Sequence, residues 1–235
     1  MQEKRKILKS LQLAGVEWEL QDAPHSPVRF AAAASRSAIA EPKIFVAPMA
    51  HVVKSNAGIM EIAKELSKSS DMVEAIKSFK EHPLFSGAKN TVVPVVASAA
   101  KLVVIIDMPS VSDDNSGLIL SGEEGALFDK MIGAIGIHRA ECSIAPLVFW
   151  RPAGGRTPTK EELAFCRPFI DRMIDNAPGA KILTLGALAA KEIIGAVLPR
   201  DHGKAFDNKI PIYKPDFIIQ NPSVKKDVWE VLKKL

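Results

Sequence analysis

Cysteine is nearly absent from this chain: Cys142 and Cys166 are the only two in 235 residues. Two thiols cannot build a multi-disulfide framework, and they suit a reducing cytoplasm, which is the expected location. No run is long and apolar enough to span a bilayer, so no membrane partner is expected. The opening residues Met1-Gln2-Glu3-Lys4-Arg5-Lys6 lead into a segment interrupted by Lys9, Glu17 and Glu19, so a signal-peptide core is not expected either. Neither a Walker loop nor a Rossmann glycine fingerprint occurs, and no Cys/His pair has zinc-site spacing. Aromatics are scarce.

What is present is apolar mass. With 47% hydrophobic residues the chain can bury one substantial core, which points to one domain with an N-terminal extension. The net charge of +4 and pI near 9.0 permit an anionic partner without demanding one. Basic pairs such as Lys225-Lys226 and Lys233-Lys234 read first as a solvated helix face.

Residues 4–20 have the spacing of an amphipathic helix, and residues 21–48 carry Pro24, Pro27, Pro42 and Pro48 around an Ala/Ser tract that reads as a linker. Helices are expected over 56–67 and 72–80. Beyond residue 88 the chain alternates between strand and helix. Strands are expected at 101–107, 142–150, 181–185 and 210–213. Helices are expected at 121–137, from 159, at 187–194 and from 221 to the end. Ser121 with Glu124, and Thr159 with Glu162, have the spacing of capping boxes, and Asn221-Pro222 reads as the cap of the last helix. This alternation predicts an α/β fold: a three-layer αβα sandwich around a short, mainly parallel four-stranded sheet, occupying residues 71–235 after an N-terminal region, 1–70. In such sheets ligands bind beyond the carboxyl ends of the strands, which places Asp107, Trp150, Gly186 and Tyr213 at the start of the segments to search.

One stretch, residues 147–174, is the most informative. An apolar run breaks into Trp150-Arg151-Pro152-Ala153-Gly154-Gly155-Arg156-Thr157-Pro158, and a helix follows from Thr159. Arg151 and Arg156 among small residues suit contact with phosphates. The stretch resembles the block C-R-P-P-G-N-R-x-P-T-x-E-E-x-x-x-C-R-P of the iron–sulfur (family four) uracil-DNA glycosylases. Three further blocks resemble that family in the same order: the helix from Gly125, Leu185-Gly186-Ala187-Leu188-Ala189-Ala190, and Pro222 through Glu230. The resemblance covers roughly residues 72–235. It implies the glycosylase fold and a role in DNA base excision repair, with uracil-containing or single-stranded DNA as partner. The alternative is a non-catalytic paralogue that binds nucleic acid or a protein.

The resemblance also assigns site residues. The family's G-E-A-P-G-x-x-E-D loop falls on Ile106 through Asp114. Asp107 is therefore the candidate for polarising water, or else a strand-end carboxylate stabilising a turn, and Pro109 fixes the loop. Leu120 stands where the family stacks the base on Phe, and Pro146 where it reads the uracil edge with Asn. Tyr213-Lys214-Pro215 resembles the family's Y-H-P. Lys214 is thus the candidate for the leaving base or a phosphate, with a solvated loop lysine as the alternative, and Tyr213 joins Arg151 and Arg156 as a DNA contact. The family's four cluster cysteines align with Phe79, His82, Trp150 and Cys166, so no iron–sulfur cluster or other cofactor is expected. Trp150 and Phe79 are expected to fill that volume, with Cys166 as a buried thiol.

Overall fold

A computed structural model of the chain describes residues 55–235; the helix expected over 4–20 and the linker over 21–48 lie outside them. Four apolar runs form strands β1 (Leu102–Ile106), β2 (Cys142–Pro146), β3 (Lys181–Leu185) and β4 (Lys209–Ile212). Every residue of β1 and β2 is buried, as in a parallel strand covered on both faces. The sheet is parallel throughout, in the order β2-β1-β3-β4, and Ile106 lies between Pro146 and Leu185 in register.

The crossovers decide where the site lies. From β1 the chain runs through α3 (Val111–Ser116) and α4 (Gly122–Gly133) to β2. Phe128 and Ile132 of α4 pack with Leu102 and Val104 on one face. From β2 it returns to β3 through α5 (Lys160–Asp175), whose Phe165 and Phe169 pack with Val103 and Ile105 on the other face. The connection to β4, α6 (Ala187–Ile194), stays on the α5 face, as do α1 (Asn56–Ser67) and α2 (Met72–Ser78). After β4, α7 (Pro215–Gln220) and α8 (Lys225–Leu232) pack on the α4 face. The segments leaving β1 and β3 therefore diverge to opposite faces and open a crevice at their carboxyl ends, the switch point where open α/β sheets bind ligands. The expected α/β three-layer architecture is present. The first helix, α1, precedes residue 70 and packs against α5.

Several local expectations are corrected. Strand β2 stops at Pro146 rather than continuing to 150. The Leu147 N–H still reaches the Ile106 carbonyl at 3.0 Å, but the next residues turn toward Val92, whose N–H bonds the Phe149 carbonyl at 2.8 Å. The Thr159–Glu162 capping box forms in full, whereas Ser121 makes no side-chain cap bond to α4. Its N–H and hydroxyl both go to Asp113 Oδ1, each at 2.7 Å. Two six-residue helices, α3 and α7, replace segments read as loop. Helix α3 starts from an unexpected reciprocal box between Ser110 and Asp113. Asn221 bonds back to the Phe217 carbonyl, and a single 3₁₀ turn, Pro222–Val224, separates it from α8.

Candidate active site at the strand ends

Asp107 is the first residue past β1, and its carboxylate crosses the switch point. Its Oδ1 accepts the N–H of Ala189 in the first turn of α6 at 2.7 Å, a helix-capping contact made from another strand. Gly186, with φ 112°, makes room for it: a Cβ there would stand 2.3 Å from Asp107 Oδ2. Burial pushes the Asp107 carboxyl up to about 6. The Ala189 N–H and the Lys214 charge oppose that rise, and Asp216 adds to it.

A cavity of about 330 Å³ opens beside this carboxylate, lined among others by Ile106, Asp107, Pro109, Leu120, Arg151 and Lys214. Five of the residues assigned from sequence thus share one space, and each is positioned by its neighbours. Lys214 caps α7 and pairs with Asp216 at 2.6 Å. Arg151 Nη1 donates to the Pro109 carbonyl at 2.6 Å, tying the loop after β2 to the loop after β1. Leu120 is a non-glycine residue at φ 48°, and its carbonyl accepts Arg139 Nη2 at 2.9 Å. That is a backbone conformation an L residue adopts only under external constraint. Asp113, buried, holds the loop from both ends by bonding Ser110 and Ser121.

Pro146, Arg156 and Tyr213 lie elsewhere. Pro146 is buried in β2 and does not line the cavity. Arg156 makes a two-pronged pair with the buried Glu162, at 2.8 and 2.6 Å, and that carboxylate also accepts the Thr159 N–H. The Arg156 contact holds the Glu162 carboxyl below its ordinary range. Tyr213 stacks on His202 at 4.2 Å and lines an adjoining, largely apolar cavity of about 420 Å³ with Phe217, Leu198 and Pro199. Asp107 and Lys214 border both cavities.

Two site residues were not foreseen. Asp216 partners Lys214, and its place after Pro215 at a helix start was the available signal. Glu124 lines the 330 Å³ cavity, although its spacing from Ser121 pointed to a cap.

The four positions aligned with cluster cysteines converge on the α5 face. His82 stacks on Trp150 with ring centroids 4.6 Å apart, and Phe79 meets both edge-on at 5.7 and 6.0 Å. Cys166 Sγ lies 3.5 Å from His82 Nε2. Both imidazole nitrogens are engaged, Nε2 with the Glu162 carbonyl at 3.0 Å and Nδ1 with the Leu84 N–H at 3.1 Å. Burial pushes the Cys166 thiol up to about 12 and lowers the His82 pKa. One neutral thiol, an imidazole with no free nitrogen and two rings in the intervening space do not fit a [4Fe–4S] cluster, which four thiolates hold. Among the described residues no group of three or more His, Cys, Asp or Glu side chains is arranged to hold a metal ion, and no helix is long and apolar enough to cross a membrane.

Comparison with known proteins bears on this geometry. The family model described as Uracil DNA glycosylase superfamily matches residues 93–235. A type-4 uracil-DNA glycosylase of Sulfurisphaera tokodaii is 28% identical over 184 residues, covering 70% of this chain and 84% of that protein. The protein of the same description from Archaeoglobus fulgidus is 26% identical over 179 residues, covering 70% and 90%. That from Pyrobaculum aerophilum is 25% identical over 166 residues, covering 65% and 85%.

Proposed function

The chain belongs to the uracil DNA glycosylase superfamily, and on that footing we propose that it is a DNA-repair glycosylase that hydrolyses the bond between uracil and deoxyribose, with a divergent and weakened active site. The observation that carries this reading is the meeting of Asp107 and Lys214 on one cavity at the β1/β3 switch point. The Asp107 carboxylate takes a proton from water as the water oxygen bonds the anomeric carbon. The glycosidic electrons leave with the base, whose developing negative charge faces the Lys214 ammonium. A carboxyl pushed up to about 6 is still ionised at neutral pH and is a stronger base than an ordinary aspartate.

Arg151 uses its remaining N–H groups on the DNA backbone, Pro109 shapes the rim and Leu120 packs on the base face. Tyr213 serves the strand next to the flipped nucleotide. Arg156, through Glu162, holds the phosphate-facing loop in place. The weakening has three sources: Leu120 offers no aromatic face, Pro146 offers no amide to the base edge, and Ile106 fills space at the cavity floor. Stacking alone is worth about 1–3 kcal/mol per base. No cluster or other cofactor takes part, and two buried free thiols suit work in the cytoplasm. The glycosylase-like domain is residues 71–235, and α1 packs on it through Ile59 and Ala63.

A second reading, a paralogue that binds nucleic acid or protein without cleavage, is favoured by one observation: Asp107 Oδ1 is engaged by the Ala189 N–H. Single-turnover uracil release from single-stranded and duplex DNA, with excess protein and an Asp107→Ala control, separates the two. Release that disappears in the control supports the glycosylase. Salt-sensitive binding without release supports the second reading.

A further inference from the structure

Glu124 stands three residues after Ser121, where a capping glutamate would reach back to the Ser121 N–H. That N–H is already taken, because Asp113 Oδ1 accepts both it and the Ser121 hydroxyl at 2.7 Å. Among the described residues the displaced Glu124 carboxyl has no hydrogen-bond or ion-pair partner, and it lines the cavity that holds Asp107 and Lys214. It is half-buried, and burial raises its pKa, with Asp216 and Asp113 adding to the rise and the Lys214 and Arg151 charges opposing it. A partly desolvated carboxyl with no hydrogen-bond donor of its own is left free to accept one from a ligand.

The shape of that donor follows from the rest of the cavity. Cationic donors are present in Arg151 and Lys214, and Glu124 supplies an acceptor. Lactam bases such as uracil present a ring N–H flanked by carbonyl oxygens. Cytosine and adenine present a ring nitrogen lone pair instead, which a carboxylate repels. An acceptor held at the ring nitrogen, with cationic donors for the flanking oxygens, matches the first kind of edge, whereas the second offers a carboxylate only its exocyclic amino group. Pro146, at the position the resemblance gives to the base-reading amide, is buried in β2 and does not line the cavity.

We propose that Glu124 is the specificity residue of this cavity, accepting the ring N–H of a lactam base and so taking over base reading from an amide the chain lacks. The proposal rests on the glycosylase reading above and names the residue that selects its base. Removing a hydrogen bond to a charged reader costs about tenfold to a hundredfold in affinity. Discrimination falls further still, because the wrong base is no longer repelled.

The test uses ligand-observed NMR titration of wild type, Glu124→Gln and Glu124→Ala with 1-methyluracil, 1,3-dimethyluracil and 1-methylcytosine. Thermal unfolding of each variant confirms the fold. Wild type is expected to bind 1-methyluracil and to lose most of that binding when the ring N–H is methylated. Glu124→Ala should erase the difference between the two uracils. Glu124→Gln, whose amide can accept from uracil or donate to cytosine, should keep uracil binding and admit 1-methylcytosine. A Glu124→Ala protein that still distinguishes the two uracils overturns the proposal. So does uracil release by wild type with an unchanged uracil-to-cytosine preference in Glu124→Ala, and this result leaves the glycosylase reading intact. Absence of both base binding and release in wild type overturns the two together.

Discussion

Replacing Asp107 with Asn should make the protein more stable and less active, with a pH signature that identifies the cause. The carboxyl titrates near 3.8 in the unfolded chain and is pushed up to about 6 in the folded one. The folded state therefore holds the proton more tightly. Stability contributed by the protonated form is fully present below pH 4, declines as pH rises from about 4 to 6, and is gone above that. At 1.36 kcal/mol per unit, the ionised carboxylate costs the native state at most about 3 kcal/mol at neutral pH. Asparagine keeps an oxygen to accept the Ala189 N–H and removes the charge. The value of about 6 already includes the weaker bond a neutral acceptor makes to that N–H, and the amide's NH2 group, buried without a set partner, offsets part of the gain, which leaves about 2 kcal/mol. For a chain of this size that is roughly 4–8 °C in melting temperature. Denaturation of wild type and Asp107→Asn across pH 4 to 8 should show the gap opening between pH 4 and 6 and then levelling, while uracil release by the variant is lost. A variant no more stable than wild type at pH 7.5, or a gap independent of pH, would refute the view that Asp107 is held charged against its surroundings.

Further outcomes follow from neighbouring contacts. Arg151→Ala should weaken DNA binding on all sequences and reduce the slope of log affinity against log salt by about one. Arg156→Ala, which leaves buried Glu162 without its counter-charge, should instead lower stability and leave that slope unchanged, as urea titration and anisotropy would show. Gly186→Ala should destabilise the fold and abolish activity, since its Cβ would stand 2.3 Å from Asp107 Oδ2, and calorimetry with a release assay reads both effects. Trp150→Ala should cost about 3–5 kcal/mol, whereas a chelator should leave the melting curve of wild type unmoved and elemental analysis should find no stoichiometric iron.

The layers of the fold could be read from the chain because they rest on local signals. The uniform Leu102-Val103-Val104-Ile105-Ile106 run is a buried parallel strand by composition alone, and Thr159 with Glu162 caps its helix as the spacing implies. The cavity's residues were partly legible, since Asp107, Pro109, Leu120, Arg151 and Lys214 come together where strand ends were expected to meet. What stayed hidden was decided by competition across the fold. Asp113 takes the Ser121 N–H that a capping box would have given to Glu124, and nothing in the local spacing announces that contest. Arg156 faces Glu162 because the buried carboxylate needs a counter-charge. The Asp107 alternatives were not exclusive, for the carboxylate braces a helix start and borders the cavity at once.

The knot of Phe79, His82, Trp150 and Cys166 has a consequence for how such a molecule is made and how it ages. Where a core is locked by an inorganic centre, folding awaits delivery of a second component, and loss of that component undoes the fold. Here the lock is translated together with the rest of the chain. The packing that closes it draws on side chains of the polypeptide itself. Oxidants that dismantle an exposed sulfide centre meet a single thiol held neutral and out of reach of solvent. The durability of this knot is that of an ordinary hydrocarbon core.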